Sequence, residues 1–256
     1  METARTGFLS LSPLGLTAVF SVVVLALALV WQSGVFHANV PLVAVRPDSG
    51  GKSTASNSLL SDLPYVSPIS SDIAAQILSA YANNVARNGS YSSEDGVKAA
   101  TKIASDIMPA VNYTSVTAGD VKTDPDVSSS RVLAYRADLR VALEPLLLNK
   151  DMELEIFGRY IESGDVQYLN ALGAAAVNYR KAAGNASALK VPADAAVYHA
   201  AILNAMNEFA ATLDAMASNA SDPFASAALL KTYNQAQADM LASFGEIGAY
   251  AARKTL

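Results

Sequence analysis

Between Arg5 and Arg46 the chain contains no Asp, Glu, Lys or Arg, and residues 14–31 (LGLTAVFSVVVLALALVW) are almost continuously apolar. A helix needs about 20 such residues to cross a bilayer core at about 1.5 Å per residue. A charge at the middle of such a helix costs about 2.5–3.5 kcal/mol even on a lenient insertion scale, so the charge-free window is what a spanning segment requires. Pro13 suits the first turn of that helix, where its missing N–H is no loss. Trp31 suits the far headgroup layer. The segment 13–36 is therefore expected to be an uncleaved transmembrane signal anchor. A cleaved signal peptide fits less well, because its apolar region is about 7–15 residues followed by small residues at −3 and −1. A cut after Ala38 would put Phe36 at −3.

Positive charge favours neither side strongly. Arg5 and the α-amino group oppose Glu2 ahead of the segment, and Arg46 and Lys52 oppose Asp48 behind it. The expected arrangement is a short cytoplasmic tail (1–12) with the large C-terminal part on the extracytoplasmic side of the cell membrane. His37 reads as an interfacial residue at the membrane exit.

Residues 37–69 form a Pro- and Ser-rich linker. Pro41, Pro47, Pro64 and Pro68 sit among Ser, Gly and Asn without a sustained helical period, which is the signature of a tether. The run Gly51-Lys52-Ser53-Thr54 resembles the end of a phosphate-binding loop. The full motif needs a glycine where Arg46 stands, with a strand before the loop and a helix after it. The linker reading is preferred.

From residue 70 to 256 the pattern is helical, with apolar residues three and four apart between capping or breaking residues. The first helix carries Ile73, Ile77, Tyr81 and Val85 and ends at Asn88-Gly89. Ser92 or Ser93 caps the second, which stops near Pro109. A third, with Val132, Tyr135, Leu139, Leu143 and Leu146, should break at Pro145. A fourth spans about 152–161 and ends at Ser163-Gly164. A fifth covers about 165–183, with Gly184-Asn185 as its left-handed cap. Pro192 is expected at the first turn of the sixth, where Ile202, Met206, Phe209, Leu213 and Met216 recur at spacings of four and three. This is a bundle seam. The seventh carries Leu230, Tyr233, Met240, Phe244, Ile247 and Ala251. The short turn at 219–223 implies an antiparallel hairpin. No segment shows a strand pattern. The fold class is thus all-α: a transmembrane helix, a flexible linker, and a bundle of about six or seven helices ending in a long hairpin. Alanine supplies 48 of 256 residues, so close-packed helices around a thin core are expected.

The composition excludes several chemistries. With no cysteine there is no thiolate nucleophile, disulfide or zinc–thiolate site. A net charge of −5 argues against nucleic-acid binding. His199 lies on the sixth helix seam and reads as a satisfied core histidine, since the chain lacks the Glu-x-x-His pairs of a di-metal bundle. Glu153 and Glu155 with Arg159 and Glu162 read as a solvated helix face, with Glu155–Arg159 an i,i+4 pair. No catalytic residue, metal site or cofactor is expected, and the chain is read as no enzyme. Tyr135, Tyr160, Tyr168, Tyr179, Tyr198, Tyr233 and Tyr250 read first as core-edge residues with hydroxyls reaching water. As a group they are also the candidate interaction surface, because tyrosine is favoured at interfaces. The four Asn-x-Ser/Thr sequences at Asn88, Asn112, Asn185 and Asn219 are read as turns.

The strings VPADAAVYHAAILNAMNEFAATLDAM (191–216) and SDPFASAALLKTYNQAQADML (221–241), behind a membrane anchor, resemble uncharacterised single-pass helical proteins of bacteria. That resemblance implies the architecture and transfers no functional residue. The expected function is a membrane-anchored extracytoplasmic interaction or structural module, docking an envelope protein or a secretion or pilus-type assembly. The alternatives are a ligand-binding ectodomain signalling through a partner chain, and an enzyme whose site distant residues assemble.

Overall fold

The computed structural model describes residues 67–255, within the unit Asp62–Leu256. The expected anchor (13–36), the Gly51–Thr54 run, His37 and most of the linker lie outside the described residues. Among those described, no helix is long and apolar enough to cross a membrane.

Seven α-helices dominate the described residues: α1 (Pro68–Asn88), α2 (Ser93–Asp106), α3 (Ser129–Ala142), α4 (Glu153–Ser163), α5 (Val166–Ser187), α6 (Ala196–Ser218) and α7 (Pro223–Thr255). The all-α expectation holds. Local chemistry sets most of the ends. Ser67 caps α1 by accepting from the Ser70 N–H, and Gly89 closes it at φ 71°, a left-handed position that glycine takes without a Cβ penalty. Ser92 and Asp95 form a reciprocal capping box on α2, satisfying two N–H groups the helix leaves unpaired. Helix α3 stops at Ala142 and becomes a 3-10 turn, Glu144–Leu148. Pro145 has no N–H to continue the ladder and would clash with the carbonyl four residues back.

Three expected boundaries move. Helix α5 runs through Gly184-Asn185 to Ser187, so that pair is no left-handed cap. Gly184 and Asn185 sit on the exposed side, while Ala182 and Ala186 of the same turn are fully buried. Glycine in a helix interior costs about 1 kcal/mol, which the inward face outweighs. Pro192 does not open α6. It lies in a two-residue parallel pair, Thr123↔Val191 and Asp124↔Pro192, followed by a 3-10 turn, Ala193–Ala195, before α6 begins. The absence of strand is corrected to that extent. The first helix also starts two residues inside the expected linker, at Pro68.

The core lies between α5, α6 and α7, with α3 and α4 against them. Ile202, Met206, Phe209, Leu213 and Met216, the seam of α6, are all 0% exposed. Tyr179 and Tyr233 flank Phe209 at ring-centroid distances of 4.9 and 5.2 Å. Ala175, Ala176, Ala182 and Ala183 of α5 are buried with them, where small side chains let helix axes approach closely. The turn between α6 and α7 makes the expected hairpin. The segment 107–128 is stitched onto this hairpin. Asn204 of α6 donates to the Val116 carbonyl (2.8 Å) and accepts from its N–H (2.6 Å), as a strand neighbour would. Thr232 of α7 donates to the Pro109 carbonyl at 3.0 Å. Arg131 donates to Asp124 (3.0 Å) and to the Lys190 carbonyl, holding the strand pair to α3.

Candidate functional site

Helices α1 and α2 form a hairpin arm whose root is fixed to α7 and whose faces are open. At the root, Asp222 in the α6–α7 turn accepts from the Ser67 N–H (3.1 Å), the Ser67 hydroxyl (2.7 Å) and the Ser70 hydroxyl (2.6 Å). The same carboxylate caps α7 through the Phe224 and Ala225 N–H groups at 3.1 and 3.2 Å. Burial would push its pKa up. The hydrogen bonds from Ser70 and Ser67 and from the Ala225 backbone more than offset that, and hold it below the usual aspartate value. At the other leg, Lys231 of α7 donates to the Ser105 carbonyl near the end of α2.

Away from the root no residue of the arm is fully buried, although Ala80, Val85, Ala99 and Ile103 are half-buried. No residue of α1 beyond Ile73 is buried, and α2 has no buried residue at all. Ile77 (42%), Leu78 (67%) and Tyr81 (49%) are exposed on α1, and Val97 (66%) on α2. Ile77, Leu78 and Tyr81 fall within a stripe about 100° wide, the width that normally faces a core. The Tyr81 ring meets that of Tyr91, at 4.9 Å between centroids. Exposed apolar residues scattered singly are ordinary, whereas a continuous stripe marks a contact surface. A second set, Leu147 (79%), Leu148 (63%) and Met152 (63%), lies in the connection between α3 and α4.

The seven tyrosines do not form one surface. Tyr135, Tyr179, Tyr233 and Tyr250 are buried in the core, which corrects their place in the candidate surface. Tyr160, Tyr168 and Tyr198 are half-buried and pack against the core. Three of the buried hydroxyls find protein partners rather than water. Tyr135 donates to His199 Nδ1 (2.8 Å), Tyr179 to Glu153 (2.9 Å) and Tyr250 to Asp194 (2.6 Å). Desolvation raises the pKa of all four phenols, that of Tyr233 to about 12. The Tyr233 hydroxyl makes no hydrogen bond of ordinary geometry, the Leu154 backbone being the polar group beside it.

His199 is the satisfied core histidine the sequence suggests. Its Nε2 donates to the Ala186 carbonyl at 3.2 Å, so its Nδ1 is the nitrogen free to accept from Tyr135. Burial lowers its pKa, partly offset by the Ala186 bond. The Glu155–Arg159 pair forms on the solvent face at 2.5 Å. Glu153 departs from the solvated-face expectation: it is 8% exposed and turned to Tyr179.

One open cleft, of about 320 Å³, runs between α6 and α7 over Ala201, Ala205 and Ala242, with Glu208, Asp239 and Glu246 at its rim. Partial burial and the neighbouring Asp239 charge raise the pKa of Glu208. Among the described residues no group of three or more His, Asp or Glu is placed to hold a metal ion.

The openness of the arm and the Asp222 clasp were missed from sequence. Ile77 and Tyr81 have the spacing of any buried stripe. Ser67 and Ser70 lie 155 and 152 residues from Asp222, so no local pattern links them. The one available signal was the polar stretch after α2, which separates the first two helices from the rest. Compared with known proteins, the chain matches no family model, no curated protein and no solved structure.

Proposed function

We propose that this protein is a membrane-anchored interaction module, with its helical domain extracytoplasmic and its α1–α2 arm as the docking element. The observation that carries the reading is the arm: two helices, joined at the root to the bundle, with an apolar stripe and nothing buried beyond Ile73. Helices of this kind gain most of their stability from packing an apolar face, and a contact partner supplies that packing. The apolar run 14–31 supports the anchor, and the export of the domain rests on the signal-anchor reading of the sequence.

Two measurements test this. With no native cysteine, Ser221→Cys provides a single exposed thiol on the domain. Labelling by an impermeant maleimide in intact cells is expected; labelling only after lysis would place the domain on the cytoplasmic side. The full chain, extracted in mild detergent, is expected to run on native separation as a complex heavier than one chain. The Ile77→Asp/Tyr81→Asp variant is expected to run as a monomer. A monomeric wild-type chain would defeat the docking reading.

Ligand binding between helices is the second reading, supported by the α6–α7 cleft. Its carboxylate rim suits a small cation, and a thermal shift with a panel of polyamines and other organic cations tests it. No shift with any of them would leave the cleft a surface feature.

A further inference from the structure

We infer that the α1–α2 arm opens from the bundle as a separate unit, with the clasp on Asp222 as its latch. This goes beyond the docking reading and holds whatever the arm meets.

Few contacts hold the arm in place. Its two helices bury Ser70 and Ile73 and nothing else, and Ile69 packs against the core. Lys231 reaches the other leg at the Ser105 carbonyl. The ion pairs Lys98–Glu94 and Lys102–Asp106 lie within α2, and among the described residues none crosses from the arm to the bundle. A helix takes most of its stability from packing an apolar face. An element that packs so little opens at a lower free energy than the core it stands on. The two helices contact each other, with Tyr81 against Tyr91 of their connecting turn, so they let go together.

The clasp can part without unmaking the bundle. Asp222 Oδ2 accepts from the arm, through the Ser67 N–H and the Ser67 hydroxyl. Oδ1 accepts from the Ser70 hydroxyl and also from the Phe224 and Ala225 N–H groups. When the arm leaves, water replaces its donors, and Oδ1 keeps the two N–H bonds that cap α7. The opening also has a stop. Thr232 holds the Pro109 carbonyl, and Asn204 holds both backbone groups of Val116. The chain beyond α2 therefore stays seated while residues 67–106 come free. A helix pair detached from its packing is marginal in water, so its backbone amides become exchangeable on opening.

The test is amide hydrogen exchange of the full chain in mild detergent, read segment by segment. Amides in α1 and α2 are expected to exchange about a hundredfold or more faster than those in the middle of α6, yet slower than in an unfolded peptide. Ser70→Ala removes one donor from Asp222 and leaves the Ser67 cap of α1 and the cap of α7 in place. It should speed exchange in α1 and α2 about tenfold and leave α6 unchanged. A docked partner would slow the arm as well, so the Ile77→Asp/Tyr81→Asp chain is measured beside it. An arm slow in the wild type and fast in that variant supports both the opening and the docking reading. Arm amides as slow as those of α6 in both chains would overturn the inference, because arm and bundle would then open as one. Exchange at the unfolded-peptide rate would overturn it too, because no latched state would exist. So would a Ser70→Ala chain in which arm and α6 speed up equally or not at all, since the clasp would then not be the latch.

Discussion

The α6–α7 hairpin and the α1–α2 hairpin are built from similar material and end differently. Both pair amphipathic helices rich in alanine across short connections. Twelve residues of α6 are buried, whereas α2 buries none. The difference lies in what each hairpin meets. Helix α6 has α5 on one side and α7 on the other, and the segment 107–128 lies over the pair. Helices α1 and α2 have each other and, at the root, α7. A helix reports through its period that it has an apolar side. Only the neighbours decide whether that side becomes core or surface.

That contrast can be pressed by substitution in the full chain in detergent, followed by chemical unfolding. Phe209→Ala, at the centre of the aromatic cluster with Tyr179 and Tyr233, is expected to cost about 3–5 kcal/mol. Asp222→Ala should cost about 2–3 kcal/mol, because it leaves two serine hydroxyls and the capping N–H groups of α7 without their acceptor. The wild-type carboxyl is held below its ordinary value of 3.8, so the unfolded chain takes up that proton first. The stability it contributes is full above pH 3.8 and is lost as pH falls through the lower folded value. Asp222→Asn should flatten that part of the pH–stability curve and leave the rest.

His199 acts in the same direction in a higher window. Its folded pKa lies below 6.5, so stability declines as pH falls from about 6.5 and levels off beneath the folded value. Tyr135→Phe removes the hydroxyl that Nδ1 accepts and should cost about 1 kcal/mol at neutral pH. Tyr233→Phe, which deletes a buried hydroxyl with no hydrogen bond of ordinary geometry, should be neutral or stabilising by up to about 1 kcal/mol. Ile77→Ala should change unfolding of the dilute monomer by no more than about 0.5 kcal/mol. A loss nearer the Phe209→Ala value would mean that the arm is packed within a single chain, and the contrast would fall.

The elements legible in the sequence are those fixed by local chemistry. Gly89 and Gly164 close α1 and α4 at φ 71° and 69°, Pro145 ends α3, and the four-and-three spacing from Ile202 to Met216 marks the buried side of α6. The features that escaped depend on distant partners. Gly184-Asn185 carries a stop signal that the burial of Ala182 and Ala186 overrides. Pro192 looks like a helix opener until Thr123 and Asp124 pair beside it. The tyrosines look amphipathic as residues, and only the fold shows that Tyr135 and Tyr250 find His199 and Asp194 in place of water. Of the candidate site, the apolar stripe on α1 was visible; its exposure was not, because that is a property of what surrounds it.

The Asp222 clasp also sets where a mechanical load enters the domain. A pull on the chain ahead of Ser67 reaches Asp222 before it reaches the backbone ladder of α1. The Ser67 N–H and the two serine hydroxyls share that load on one carboxylate, and all three bonds must yield before α1 can peel away. The force is then handed to the turn that joins α6 and α7, the helices with the most buried residues among those described. A tug on the preceding chain would thus be borne by the bundle, and the arm, leaving the same root, would keep its shape while the domain is under tension.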